Sequence, residues 1–405
     1  MNAFRCLLTG LIALTACFSC ARADVSRPDI VFIIVDDLND WVGCLGGHPD
    51  AKSPNIDALA ASGMLFSQAY CNSPQCRPSR TSLNHGVYPF KTGTYFNAKF
   101  RDESKIETPT MQQFFMDRGY RVASGGKVFH GTPGKFGDSL FNRPRDPRPP
   151  KGKDNFNAMR APNDGYALEV ADLEMGDYKV AQWATEQWME VTDKPLFMSV
   201  GFFRPHRPLQ VPKPWFEKFP IDSIHRPAEP EGVDDWDDMP DFARRLARTH
   251  AHKPLHKSPH KSSSPQTKNQ LNEPMSDHEY IVANDEWDAT IRAYQASIAF
   301  VDQQIGRFID SLKQNPRGRE TYVMLVSDHG WHLGEKKHWC KGAIWEQTTH
   351  IPFIVRGPRV EAGSTCRQPV SLIDVYPSLV DFAGFDRPAW LDGTSVKPQL
   401  ADSSS

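Results

Sequence analysis

Two hydrophobic runs in this sequence stop at acidic residues. Asp29-Ile30-Val31-Phe32-Ile33-Ile34-Val35 gives way to Asp36-Asp37, and Tyr322-Val323-Met324-Leu325-Val326 gives way to Ser327-Asp328-His329-Gly330. If both runs are parallel strands of one sheet, Asp36, Asp37 and Asp328 emerge together at its carboxyl edge, where open sheets of this kind bind ligands. Three converging carboxylates repel one another unless a cation neutralises them, and oxygen donors suit a hard ion such as calcium or magnesium. A plainer arrangement fits the same residues, with Asp36-Asp37 beginning a turn and Asp328 capping a helix. A second centre of interest is Cys76-Arg77-Pro78-Ser79-Arg80. Five of the eight cysteines lie beyond the first two dozen residues: Cys44, Cys71, Cys76, Cys340 and Cys366. In an exported protein an odd number flags one with a role other than pairing, or else a leftover buried thiol.

The elements that must position these groups are legible in the hydrophobic pattern. Continuous apolar runs alternating with helices indicate a sheet covered on both faces. Shorter runs from Leu196 to Val200 and Pro352 to Val355 read as further strands. A long helix is predicted from about Trp287 to Lys313, where Ile291, Tyr294, Ile298, Val301, Ile305, Phe308 and Leu312 recur three and four apart as one stripe. Thr108-Pro109 begins another helix that runs to Gly119, and a third covers Ala171 to Val191. The order of strands and helices argues for an α/β fold, a doubly wound, mostly parallel sheet flanked by helices. The stretch 227–274 breaks the pattern. It is acidic at Asp234, Asp235, Asp237 and Asp238, then basic from Arg244 to Lys268, and reads as a mobile, solvated insertion. Its cations could instead gather a polyanionic substrate.

The composition sets outer bounds. The 405 residues suit one large α/β enzyme with insertions, and 47 basic against 49 acidic side chains give no global case for nucleic acid or an anionic membrane surface. Residues 1–23 read as a signal peptide: Arg5, an apolar run from Leu7 to Phe18 too short to span a bilayer, and Ala21-Arg22-Ala23 as a cleavage site. Leu14-Thr15-Ala16-Cys17 competes as a lipobox that would anchor the chain through Cys17. Either way the protein is exported, secreted or periplasmic. No later stretch is long and apolar enough to be a transmembrane segment.

Cys76-Arg77-Pro78-Ser79-Arg80, followed six residues on by Gly86, resembles the signature of the formylglycine-dependent sulfatases of the alkaline-phosphatase superfamily. Asp36-Asp37, Gly119-Tyr120, Gly126-Lys127-Val128-Phe129-His130, Arg292-Ala293-Tyr294, Phe300-Val301-Asp302, Ser327-Asp328-His329-Gly330 and Asp374-Val375-Tyr376-Pro377 follow the family's order over nearly the whole chain. Lys127 to His130, Arg204-Pro205-His206 and Gly330-Trp331 with Leu333-Gly334-Glu335 are more similar to iduronate-2-sulfatase and its bacterial relatives than to arylsulfatases. The resemblance implies an alkaline-phosphatase-like fold and hydrolysis of sulfate monoesters on sugars or uronic acids of sulfated polysaccharides. It implies one Ca2+ held by Asp36, Asp37, Asp328, His329 and the modified residue 76. It also implies a formylglycine (3-oxoalanine) made from Cys76 by a formylglycine-generating enzyme. The aldehyde hydrates, one hydroxyl attacks sulfur, and the other expels sulfate. Arg80 would steady the diol, Lys127 and Lys341 would bind sulfate oxygens, His130 would assist collapse, and His206 would protonate the leaving alcohol. Trp331, His332, His338 and Trp339 either line a sugar subsite or form a packed loop.

Two features depart from the family pattern. Asn84-His85-Gly86 stands where Leu-Thr-Gly is usual, which could disturb the packing of the signature helix. After Leu391-Asp392-Gly393 only a short tail, 396–405, replaces the usual small C-terminal antiparallel subdomain, so the catalytic domain is expected over 24–395. Two other functions share these residues: a phosphate or phosphonate monoester hydrolase of the same superfamily, and a degenerate protein that only binds sulfated glycans.

Overall fold

In the computed structural model of the chain, the described residues are 27–98, 105–131, 144–147, 167–227, 236–237, 239–247 and 276–402. The expected signal peptide and Cys17 lie outside them, as does most of the insertion; the insertion's described part includes a short helix, Asp241–Ala247.

Seven strands form the central sheet: β1 (Ile30–Asp36), β2 (Met64–Phe66), β3 (Arg121–Gly126), β4 (Leu196–Pro205), β5 (Tyr322–Ser327), β6 (Phe353–Arg356) and β7 (Ser364–Cys366). Their spatial order is β7-β2-β6-β5-β1-β4-β3. β1 is the centre, parallel to β4 on one side and β5 on the other, and β3 is parallel to β4. The run ending at Val355 is the exception, since β6 pairs antiparallel with both β5 and β2. The register sets Val35 beside Ser327. The residues that follow, Asp36-Asp37 and Asp328, are therefore delivered to the same edge.

Alternate residues of β1 enter two separate cores, as the pleat requires. Val31, Ile33 and Val35 face one core and Ile30, Phe32 and Ile34 the other, and all are fully buried. The principal helices are α1 (Pro54–Ala61), α2 (Cys76–His85), α3 (Met111–Met116), α4 (Gly176–Met189), α5 (Trp287–Gln314) and α6 (Val375–Phe382). Residues of α1, α4 and α5 fill the first core, and residues of α2, α3 and α6 the second. This is the layered arrangement expected for a sheet wound on both faces.

Three helices differ from expectation. α3 starts later than Thr108-Pro109 because Thr110 is the cap, its Oγ1 accepting from the Gln113 N–H at 3.3 Å, and it ends at Met116, short of Gly119. α4 starts at Gly176, after a separate 3-10 turn at Asp172–Glu174. α5 carries the predicted stripe but buries far more than one face, including Gln295, Ser297, Asp302 and Gln304. It is wedged between the sheet and its neighbouring helices, so polar residues line its other sides. Beyond the sheet, Val396 and Leu400 pack into the second core. No helix among the described residues is long and apolar enough to cross a membrane.

Candidate active site

The site is assembled at the carboxyl edge of β1 and β5. Asp36 is the last residue of β1, and Asp37 turns away from it with a left-handed backbone, φ 61°. Aspartate tolerates that region better than most side chains, though still at a cost. Several bonds hold the turn. The Asp37 N–H donates to Asp328 Oδ1 at 3.0 Å, and the Leu38 N–H donates to Ser327 Oγ at 3.0 Å. The Tyr294 hydroxyl on α5 donates to the Asp37 carbonyl at 2.8 Å and accepts from the Asn39 N–H at 3.0 Å.

Helix α2 brings the third group. Cys76 is its first residue, preceded by Gln75 in an extended conformation, so the thiol sits over the helix's amino end. Arg80, one turn on, is fully buried and bridges the acids, with Nη2 on Asp36 Oδ1 at 3.0 Å and Nε on Asp328 Oδ2 at 2.8 Å. Ser79 Oγ donates to the Asp328 carbonyl at 2.6 Å. Gly86 ends the helix with φ 68° beneath Leu391 and Tyr376, where a Cβ would meet Leu391 Cδ2 at 2.2 Å. The unusual His85 does not disturb this packing: its Nδ1 is 2.7 Å from the Thr108 carbonyl.

Around the thiol the atoms converge. Cys76 Sγ lies 2.8 Å from Lys341 Nζ, 3.3 Å from His329 Nε2, 3.7 Å from Asp37 Oδ1 and 4.0 Å from Lys127 Nζ. Lys341 also pairs with Asp37 Oδ1 at 2.6 Å, and Lys127 with Asp36 Oδ2. His206 approaches from the end of β4, its Nε2 3.9 Å from both Asp36 Oδ2 and Asp37 Oδ2. Thus Asp36, Asp37, Cys76, Arg80, Lys127, His206, Asp328, His329 and Lys341 form one cluster. His130 lies at its margin. Its Nδ1 is buried without a hydrogen-bond partner, and no hydrogen bond links it to Cys76 among the described residues.

Burial and opposing charge set the protonation states. Burial alone would raise Asp36, but Lys127, His206, Arg80 and Lys341 outweigh it and hold this carboxyl well below its usual range. Burial pushes Asp37 up to about 7, reinforced by Cys76 and Asp36 and opposed by Lys341 and His329. Burial resists ionisation of the Cys76 thiol, yet Lys127 and Lys341 draw it down. Burial and Lys127 lower His130 to about 4, so it is neutral at pH 7.

The donor set fits a hard cation. Asp36, Asp37, Cys76 and His206 offer atoms within 4.8 Å of one another, and so do Asp37, Cys76, Asp328 and His329. Asp37 Oδ2 is buried with no hydrogen-bond partner among the described residues, although such an atom costs about 1–3 kcal/mol when unsatisfied. An ion accepting that oxygen removes the cost. His329 can present Nε2 inward, since its Nδ1 lies 3.0 Å from the Gly330 carbonyl.

Two parts of the site had no role assigned from the sequence. Tyr294 belongs to a family-like triplet and to the apolar stripe, but neither reveals that its hydroxyl fixes the Asp37 turn. Arg207 follows His206 with no pattern of its own, yet its guanidinium lies over Trp331. Conversely, Trp331, His332, His338 and Trp339 are all buried, so they form a packed loop and not an open sugar platform.

The sulfatase family profile matches residues 28–385. The chain is 32% identical over 382 residues to a sulfatase of Formosa agariphila, covering 90% of this chain and 70% of the relative. It is 29% identical over 402 residues to iduronate 2-sulfatase of Homo sapiens, covering 93% of this chain and 68% of the relative. Among solved structures it is similar to a protein in complex with its substrate D-glucosamine-2-N,6-O-disulfate, with a TM-score of 0.69, 22% identity, and coverage of 93% of this chain and 81% of that one. It is also similar to the phosphonate monoester hydrolase of Agrobacterium radiobacter, with a TM-score of 0.68, 22% identity, and coverage of 93% and 77%.

Proposed function

The chain belongs to the sulfatase family, and from that premise we propose that it hydrolyses sulfate monoesters on sugars or uronic acids with Cys76 as the precursor of its nucleophile. The observation that carries this reading is the setting of Cys76 Sγ, 2.8 Å from Lys341 and 3.3 Å from His329, above three buried aspartates. Oxidised to formylglycine, residue 76 supplies a hydrated aldehyde as the attacking group. Asp36, Asp37, Asp328 and His329, with residue 76, would hold a calcium ion, which would supply positive charge for the sulfate oxygens.

The remaining roles fall to this chain's own side chains. Lys127 and Lys341 flank the reacting atom and bind the sulfate oxygens, releasing the carboxylates they now neutralise. Fixed cations in a dry site stabilise developing charge without reorganisation. Arg80 cannot reach outward, because both of its ends are committed to Asp36 and Asp328; it orients the acids and the first turn of α2. His206 Nδ1 can donate to the Arg207 carbonyl at 2.6 Å, which leaves Nε2 facing the site. Burial, Lys127 and Lys341 keep it neutral. An incoming sulfate adds negative charge beside Nε2, favours its protonation, and equips it to protonate the leaving alcohol. His130, neutral and unpaired at Nδ1, is the base that removes a proton from the hydrated residue.

The test is mass spectrometry of the Cys76 peptide after co-expression with a formylglycine-generating enzyme, joined to an assay of sulfate release in calcium. An aldehyde mass and activity are expected. A thiol throughout, with no sulfate released, would overturn the proposal. The likeness in fold to a phosphonate monoester hydrolase motivates a second reading, in which the same cations bind a phosphonate. Turnover of aryl sulfate against aryl phosphonate separates the two. Export through residues 1–23 is part of the proposal, and amino-terminal sequencing of protein recovered outside the cytoplasm checks it.

A further inference from the structure

Arg207 is a cation next to this site that the reaction leaves unused. Its guanidinium carbon lies 5.6 Å from the centre of the Trp331 ring, and Lys341 Nζ lies 5.5 Å from the same centre. One buried indole therefore carries both cations, and Lys341 in turn touches Cys76. Unlike Arg80 and Arg204, whose guanidiniums are tied to carboxylates, the Arg207 guanidinium has no hydrogen bond or ion pair among the described residues. It is only partly exposed.

Several neighbours favour its charge, but none is paired with it among the described residues. Cys340 is the group whose ionisation would favour the Arg207 charge most, but burial pushes that thiol up to about 11, so it is uncharged at neutral pH. Asp37 and Asp277 also favour the Arg207 charge, but neither makes an ion pair with it among the described residues. A partly exposed guanidinium without a committed partner is available to an incoming anion. Its planar fork matches a carboxylate or sulfate through two parallel hydrogen bonds.

We propose that Arg207 is a specificity-determining residue that binds a second anionic oxygen group of the substrate, carried on the sugar whose sulfate enters between Lys127 and Lys341. This deepens the sulfatase reading and rests on it for the first anion. The preferred substrates are then sugars bearing two negative groups, a sulfate to be cleaved and a neighbouring carboxylate or second sulfate.

Binding calorimetry on the calcium-supplemented protein with Cys76 as the thiol tests this without turnover. The probes are a monosulfated hexuronic acid, the matching monosulfated hexose with a neutral hydroxymethyl group, and a disulfated hexose. The parent is expected to prefer at least one doubly charged probe over the neutral-armed hexose by roughly ten- to a hundredfold, the range for a charge-assisted hydrogen bond. The preferred probe identifies the second group as carboxylate or sulfate. In Arg207→Gln that ratio falls to near one, and in Arg207→Lys, which keeps the charge and loses the fork, it falls partway. A parent without preference, or a ratio that survives in Arg207→Gln, overturns the proposal. If Arg207→Gln melts abnormally, Arg207→Lys decides alone: an unchanged ratio overturns the assignment. Sulfate release from the monosulfated hexose by matured protein is measured separately, so failure of the reaction is distinguishable from failure of Arg207.

Discussion

Asp37 shows how much of this site depends on support from outside it. Its left-handed turn is held by the Tyr294 hydroxyl, which bonds the Asp37 carbonyl and the Asn39 N–H together. Tyr294→Phe keeps the ring and leaves both buried backbone groups unpaired. A loss of about 1–3 kcal/mol is expected, read by urea denaturation, together with reduced sulfate release. An unchanged midpoint would show that another group holds the turn. His85 gives a pH prediction away from the clustered acids. Burial lowers its proton affinity in the folded state, while the Thr108 carbonyl acts in the opposite sense. The unfolded chain therefore accepts a proton that the folded chain refuses. Stability is full above the unfolded value near 6.5 and falls as pH drops from there toward the folded value, by at most about 1.4 kcal/mol per pH unit for one proton. His85→Gln should flatten that acid limb in denaturation curves at a series of pH values. A slope identical to the parent's would refute the assignment.

At the scale of elements, strands β3 and β4 place Lys127 through a close backbone approach. The Lys127 N–H donates to the Gly201 carbonyl at 2.7 Å, and a Cβ on Gly201 would stand 2.1 Å from the Lys127 carbonyl carbon. Gly201→Ala must part the two strands, at about 1–3 kcal/mol for overpacking. Melting temperature and catalytic rate should fall together, and a variant matching the parent in both would contradict this account. These elements also mark what a sequence can reveal. Continuous apolar runs betray β1 and β5, and acids at their ends betray the cluster, because burial on both faces leaves little freedom in residue choice. The antiparallel sense of β6 has no such trace, since direction depends on how the chain returns to the sheet. The start of α3 depends on one hydroxyl of Thr110, and the polar sides of α5 depend on neighbours far away in the chain. Arg207 is invisible for the same reason: its position over Trp331 exists only once two distant segments meet.

For the whole molecule, the proposed calcium would be a second set of counter-charges for the acids. Lys127, Lys341 and Arg80 already pair with Asp36, Asp37 and Asp328. Chelation should accordingly lower the melting temperature without unfolding the protein, and added calcium should restore it. Binding at a hundredfold above the dissociation constant contributes about 2.7 kcal/mol. A melting curve indifferent to both treatments would argue against an ion at these acids. The central position of β1 has a further consequence, for the order of events during synthesis. Its two lateral partners, β4 and β5, are translated roughly 170 and 290 residues later, a separation that makes for slow closure. The opening strand must wait, apolar and without its second partner, until most of the polypeptide has left the ribosome. A nascent chain arrested before Asp328 has two of its three acids but lacks Asp328, His329 and Lys341, so the catalytic centre is completed late.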